Sequence, residues 1–149
     1  MKRGSLPARP LRILFVCVEN ANRSQMAEAF ARRIGAGRVE AWSAGSNPAG
    51  TVNSRAIEAM GERGIDLSRQ RSKSIGEVAG LEFDAVVALG SGEDLPGVRA
   101  RTRETWSIPD PRDMLPEEFR GVRDLIEASV KGLIGRLEES QVRGRISAP

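Results

Sequence analysis

The sequence predicts one α/β domain, a four-stranded parallel sheet with helices on both faces, and three observations carry that expectation. Its 149 residues, 40% of them apolar, suffice for one core and fall short of two ordinary domains. Apolar runs of strand length alternate with segments whose apolar residues recur every three or four positions. The first strand-like run, residues 13–16, is followed at once by a polar loop and a helical period, the signature of a strand–loop–helix unit.

The elements follow in order. Residues 1–10 carry Lys2, Arg3, Arg9 and two prolines without a period, and read as a flexible arm before a domain at 11–139. Ile13, Leu14, Phe15 and Val16 are continuously apolar, as a strand buried on both faces requires. From Ser24 the period becomes helical, with Met26, Phe30 and Ile34 in line, Ala27 and Ala31 beside them, and Gly35 ending the run. Residues 39–43 suit a second strand, and Ala56, Ile57 and Met60 a helix closed near Gly64. Residues 74–78 suit a short helix, 83–89 a third strand and 103–108 a fourth. Phe119, Val122, Ile126, Val130, Leu133 and Leu137 trace one face of a last helix, after which residues 140–149 read as a disordered tail. Strands alternating with helices imply parallel pairing through right-handed crossovers. In such sheets ligands bind beyond the carboxyl ends of the strands, where loops lead into helix N-termini.

Composition removes several function classes. A net charge of +3, only 4% aromatic residues and no Tyr give no basic stripe with stacking rings, so nucleic-acid binding is not expected. No run approaches the roughly 18 apolar residues of a membrane span, and the run 13–18 is too short for a signal-peptide core, which places the protein in the cytoplasm. The single cysteine, Cys17, allows no disulfide within the chain. With no His, mechanisms needing an imidazole base and His metal sites are absent, and no metal is expected.

The loop Cys-Val-Glu-Asn-Ala-Asn-Arg-Ser, residues 17–24, lies where the sheet should bind ligands. N–H groups opening a helix favour an anion. Val18, Glu19, Asn20, Ala21 and Asn22 are therefore expected to hold a tetrahedral oxyanion through the loop, with Arg23 adding a fork of donors able to take two oxygens. The same positive field favours the thiolate of Cys17 without a base. Ser24 can donate its hydroxyl to that sulfur, and Asn20 tolerates the unusual backbone angles of a tight loop. Alone, a cysteine ending an apolar strand is ordinarily a small buried hydrophobe, and an Arg-Ser pair opening a helix is ordinarily surface and cap. Their joint spacing between a strand and a helix points to nucleophilic chemistry on an oxyanion.

Such chemistry needs a proton donor for the leaving group, and without His a carboxyl group must serve. Asp110 is the candidate, because Pro109 and Pro111 stiffen its backbone and it follows the last strand at the same sheet end as Cys17. Arg69, Arg71, Arg99, Arg101 and Arg103 read as solvated charge. Trp42 and Trp106 read as partly buried packing residues.

Residues 17–24, the following Gln-Met-Ala-Glu-Ala-Phe, and Asp110-Pro111 resemble the low-molecular-weight protein tyrosine phosphatase family and its arsenate reductase relatives, over nearly all of residues 11–137. The resemblance implies that family's three-layer, Rossmann-like fold. It also implies Cys17 as nucleophile, Arg23 as anion ligand, Ser24 as thiolate donor and Asp110 as general acid. Ser-Ala-Gly-Ser-Asn-Pro-Ala-Gly (43–50) and Gly-Ile-Asp-Leu-Ser (64–68) are closer to the arsenate reductase branch. The phosphatases follow their Asp-Pro with tyrosines that flank an aryl substrate, whereas Arg112 follows here. The thioredoxin-coupled reductases carry two further cysteines, where this chain has Ser91 and Leu95. Three readings follow. One is an arsenate reductase with no tightly bound cofactor, using an external thiol such as mycothiol or glutathione, or a redox protein. Another is a phosphomonoesterase acting through a phosphocysteine on a phosphoester, and the last is a catalytically silent phosphate-binding module.

Overall fold

The structure, a computed structural model, describes residues 9–90 and 97–147, with side chains as far as Gly144. Four strands, β1 (Leu11–Cys17), β2 (Val39–Gly45), β3 (Glu82–Leu89) and β4 (Arg99–Trp106), form one sheet in the order β2-β1-β3-β4. All pairings are parallel, with Phe15 opposite Ser43 on one side and Val87 on the other. The long helices are α1 (Arg23–Gly35), α2 (Ser54–Gly61) and α3 (Pro116–Ser147), and a 3-10 turn spans Ile75–Glu77.

Alternation along the central strands divides the core in two. Leu11, Ile13 and Phe15 of β1 join Met26 and Phe30 of α1, Met60 of α2, and Phe119, Ile126 and Leu133 of α3. Leu14 and Val16 face the other way, against Phe83, Val86 and Val98, with Val78 beside the 3-10 turn closing that side. Coverage is therefore uneven, with the three long helices sharing the larger cluster and a single helical turn with its flanking residues closing the smaller one. Both tryptophans are half-buried as expected. Trp106 sets its ring 6.1 Å from that of Phe15, and Trp42 packs on the smaller cluster.

Three boundaries differ from expectation. The fourth strand starts at Arg99 rather than 103, because an edge strand that is largely exposed carries no apolar alternation to mark it. The last helix continues through Ser147, so residues 140–147 are helical rather than a disordered tail. Good helix formers and a Glu139–Arg143 pair one turn apart extend it, and Ser140, Gln141 and Gly144 border a groove shared with Leu11 and Thr102. At the other end Arg9, expected in a flexible arm, docks both guanidinium nitrogens on Asp84 at 2.9 and 3.0 Å. Residues 1–8, and the positions Ser91 and Leu95, lie outside the described residues.

Candidate active site

The loop 18–22 leaves the carboxyl end of β1 and enters α1 at the middle of the sheet, and its sequence folds it into a hollow. Every carbonyl along it accepts a hydrogen bond from the surrounding protein. Val18 O takes the Asn47 N–H at 2.8 Å, Glu19 O that of Ala49 at 2.9 Å, and Ala21 O that of Asn53 at 3.1 Å. Asn20 O takes the Gln25 side-chain amide at 3.0 Å, and Asn22 O takes the Met26 N–H at 3.0 Å. With the carbonyls committed elsewhere, the N–H groups of residues 18–25 find no protein acceptor among the described residues. Asn22, at the head of α1, makes no side-chain cap. A run of unpartnered N–H groups at a helix start is an anion site by its own electrostatics.

Asn20 is the hinge of the loop. Its φ of 51° lies in the left-handed region, which Asn tolerates better than most residues. Its side chain is fully buried behind the loop, away from the cavity, so only its backbone N–H is left to face an anion. The physical reason is the surrounding demand for polar partners. Asn20 Oδ1 accepts from the Lys73 N–H at 2.7 Å and the Gln25 amide at 2.8 Å. Because a backbone N–H can only donate, this fixes the amide orientation, and Nδ2 donates to Ser24 Oγ at 2.7 Å. The Ser24 hydroxyl proton is then free to point at Cys17 Sγ, 2.9 Å away. Asn20 thus acts on the sulfur through Ser24.

Cys17 is 5% exposed and Ser24 is fully buried. Arg23 donates from Nη1 to Ile108 O at 2.9 Å, which ties the start of α1 to the segment carrying Asp110. Gly90, at φ +123°, makes room for this arginine: a Cβ there would lie 2.6 Å from Nη1. Gly45 serves the other flank, since a Cβ on it would stand 2.5 Å from Val18 O. Asp110 takes the Arg112 N–H on Oδ1 at 3.0 Å in a tight turn.

Cys17, Val18, Glu19, Ala21, Asn22, Arg23, Asp110 and Arg112 line one cavity of about 240 Å³. Of the expected site residues, all but Asn20 and Ser24 line it, and those two lie directly behind the sulfur. Sequence reasoning missed the brace behind the loop. Gln70 donates to Gln25 Oε1 at 2.6 Å, Gln25 to Arg71 O at 2.7 Å, and Ser72 to Glu19 O at 3.0 Å. Lys73 also sets its ammonium near Arg71 O at 2.9 Å, Ser43 Oγ at 3.3 Å and the buried Glu28 carboxylate at 3.5 Å. Nothing local in the sequence marks a polar stretch without period as a brace. Gly45 and Gly90 were equally unmarked, because a glycine needed for close approach reads like any turn glycine. Among the described residues no group of His, Cys, Asp or Glu is placed to hold a metal ion, and no helix is long and apolar enough to cross a membrane.

A cysteine-bearing loop between a central parallel strand and a helix, with an aspartate lining the same cavity, fits the class of cysteine enzymes that process oxyanions. The chain belongs to the low molecular weight phosphotyrosine protein phosphatase family, whose family model matches residues 12–143. Among its relatives are a glutaredoxin arsenate reductase of Synechocystis sp., 38% identical over 85% of this chain and 98% of that protein, and arsenate reductase 1 of Staphylococcus epidermidis, 38% identical over 84% and 96%. A solved structure of an arsenate reductase in the phosphate binding state superposes with a TM-score of 0.79 at 38% identity, covering 85% of this chain and 98% of that one. A low molecular weight protein tyrosine phosphatase from T. tengcongensis gives 0.68 at 26% identity, over 85% and 99%.

Proposed function

We propose that this chain is an arsenate reductase that forms a covalent adduct through Cys17 and completes its cycle with an external thiol. The observation that carries arsenate over a phosphoester is the rim of the cavity. Its outer side is made by Glu19 and Arg112, joined at 3.0 Å, and among the described residues no aromatic side chain lines it, so it offers an aryl ester no aromatic wall. Arsenate reductases among its relatives in both sequence and structure point the same way.

In this reading the loop N–H groups and Arg23 hold arsenate over Cys17. The thiolate attacks arsenic, an oxygen departs as water with a proton supplied by Asp110, and a Cys17–S–As(V) adduct remains. Ser24 stabilises the thiolate before attack and again as sulfur becomes a leaving group. One cysteine supplies one sulfur, so the second comes from a thiol in solution, and arsenic leaves as arsenite.

A phosphomonoesterase cycle is the second reading, favoured by Asp110 bordering the same cavity as Cys17 and by the family match. The Ser24–Cys17 contact argues against a silent binding module, which has no use for a supported sulfur. The experiment is a parallel assay of purified protein, with arsenate plus small thiols in one arm and an aryl phosphate in the other, each repeated with Cys17→Ser. Arsenite formation that vanishes in Cys17→Ser, while phosphate still binds by calorimetry, supports the reading. Rapid aryl phosphate hydrolysis without thiol-dependent arsenite formation replaces it with the phosphatase.

A further inference from the structure

An acidic side chain within an anion-binding loop works against the loop's purpose, and Glu19 is such a residue, two positions from the nucleophile. Its carboxylate is neutralised by Arg112, which reaches over from the Asp110 loop. The two residues line the same cavity as Cys17. Glu19 is 39% and Arg112 54% exposed, whereas Cys17 is 5% exposed, so the pair is far more open to solvent than the sulfur. Exposed ion pairs contribute roughly 0–1 kcal/mol, so this one exchanges readily for partners of matching charge. Neither residue is needed to shape the loop through its side chain, since the brace and the carbonyl bonds do that from behind.

We propose that Glu19 and Arg112 form the docking site for the co-substrate, and that this is a small thiol bearing an α-amino-acid zwitterion, its ammonium on Glu19 and its carboxylate on Arg112. The assignment rests on the arsenate reductase reading and deepens it. A thiol attacking the Cys17 adduct enters a cavity that Glu19 and Arg112 also line, where one negative and one positive side chain sit 3.0 Å apart. That spacing complements an ammonium and a carboxylate carried on one carbon. A neutral thiol meets no complementary group there, and a thiol with one charge satisfies only half of the pair. Once docked, the thiol sulfur bonds to Cys17 Sγ and the Sγ–As bond breaks with its electron pair going to arsenic. As(V) becomes As(III), both sulfurs are oxidised to a mixed disulfide, and the thiol proton leaves on arsenite. A second molecule of the same thiol attacks the mixed disulfide, releasing Cys17 as thiol and a symmetrical disulfide.

The test measures arsenite formation at saturating arsenate with four thiols: cysteine, N-acetylcysteine without the ammonium, cysteamine without the carboxylate, and 2-mercaptoethanol with neither. Wild type, Glu19→Gln and Arg112→Gln are compared, and each kcat/KM for thiol is divided by that variant's own value with 2-mercaptoethanol. The division removes any shared effect of a substitution on arsenate binding, and comparing variant with wild type for one thiol cancels differences in sulfur reactivity. Glu19→Gln should lower the normalised value for cysteine and cysteamine by about 2- to 5-fold and spare N-acetylcysteine. Arg112→Gln should lower it for cysteine and N-acetylcysteine and spare cysteamine. Both effects should shrink as salt rises from 0.01 to about 0.5 M. Equal effects on all charged thiols, none on any, or turnover only with a redox protein would overturn the docking site. Absence of arsenite with every thiol and with redox protein alike, while aryl phosphate is hydrolysed, would instead overturn the reductase reading beneath it.

Discussion

At the residue scale, the sulfur of Cys17 is governed by a chain of groups of which it touches the last. Lys73 N–H fixes Asn20, Asn20 fixes Ser24, and Ser24 presents its proton to Sγ. Opposite the sulfur, Asp110 is held in its turn by one bond from the Arg112 N–H. Asp110→Asn keeps that acceptor and removes the proton, so binding of phosphate should be unchanged. Adduct formation should slow by about 100-fold or more, and more with poor leaving groups, as rapid-quench measurement would show. Identical rates in the two proteins would make Asp110 a turn residue. Gly90→Ala tests the seat of Arg23. The new Cβ meets Nη1 at 2.6 Å, and φ +123° suits only glycine, so phosphate affinity should fall about 10-fold by calorimetry. An unaltered affinity would show that Arg23 finds its place without Gly90.

At the element scale, an irregular segment does work usually given to a helix. Residues 70–73 brace the loop through Gln70, Arg71, Ser72 and Lys73, and Gln25 joins the two from a fully buried position. Gln25→Ala strips a partner from Asn20 O, Asn20 Oδ1 and Arg71 O together. The variant should lose about 2 kcal/mol or more in urea unfolding, because Asn20 O loses its donor while Asn20 Oδ1 and Arg71 O keep only those from Lys73. Its phosphate affinity should drop as well, and a change in stability alone would separate the brace from the site. None of this brace was legible, since its residues are polar, lack a period and meet the loop only in three dimensions. β1 and α1 were legible because their apolar residues follow the periods of a doubly buried strand and a one-faced helix. β4 was half legible: its Arg99, Arg101 and Arg103 guard the sheet edge, with Arg99 on Glu82 and Arg101 on Asp84, and edge strands hide from hydrophobic patterning. The helical end of α3 was missed because its apolar stripe stops at Leu137 while good helix formers continue.

At the scale of the whole molecule, α2 and α3 are joined by an ionic cluster remote from the site. Arg123, with a side chain only 7% exposed, bonds Glu62 at 2.7 Å, Asp124 at 2.8 Å and Ala59 O at 2.9 Å. Arg120 adds to Glu62 at 3.0 Å and Arg63 to Asp124 at 2.7 Å. Hydrogen bonds from Arg120 and then Arg123 hold the Glu62 carboxyl below its ordinary range. Asp124 is lowered chiefly by Arg123, with Arg63 assisting against the opposing effect of burial. Depressed carboxyl groups bind protons more readily in the unfolded chain. Their stabilisation is complete above the unfolded pKa and is lost as pH falls through the folded one. The urea midpoint should therefore decline through the carboxylate range, and Glu62→Gln should flatten that decline. A variant with the wild-type slope would remove Glu62 from the account.

The outward-tied carbonyls of the loop have a thermodynamic consequence for the protein's stability. A hollow whose shape is set by the protein behind it cannot fold its donors onto itself, so they stay aimed at whatever enters. An oxyanion that fills the hollow binds the native state alone. At about 100 times its dissociation constant such an anion should add about 2.7 kcal/mol, raising the melting temperature of a chain of this size by roughly 5–10 °C. Arsenate and phosphate should both do so in Cys17→Ser, where no adduct can form, and an unmoved melting curve would contradict a preformed hollow. Thermal persistence thus becomes a readout of the ion the protein was built around.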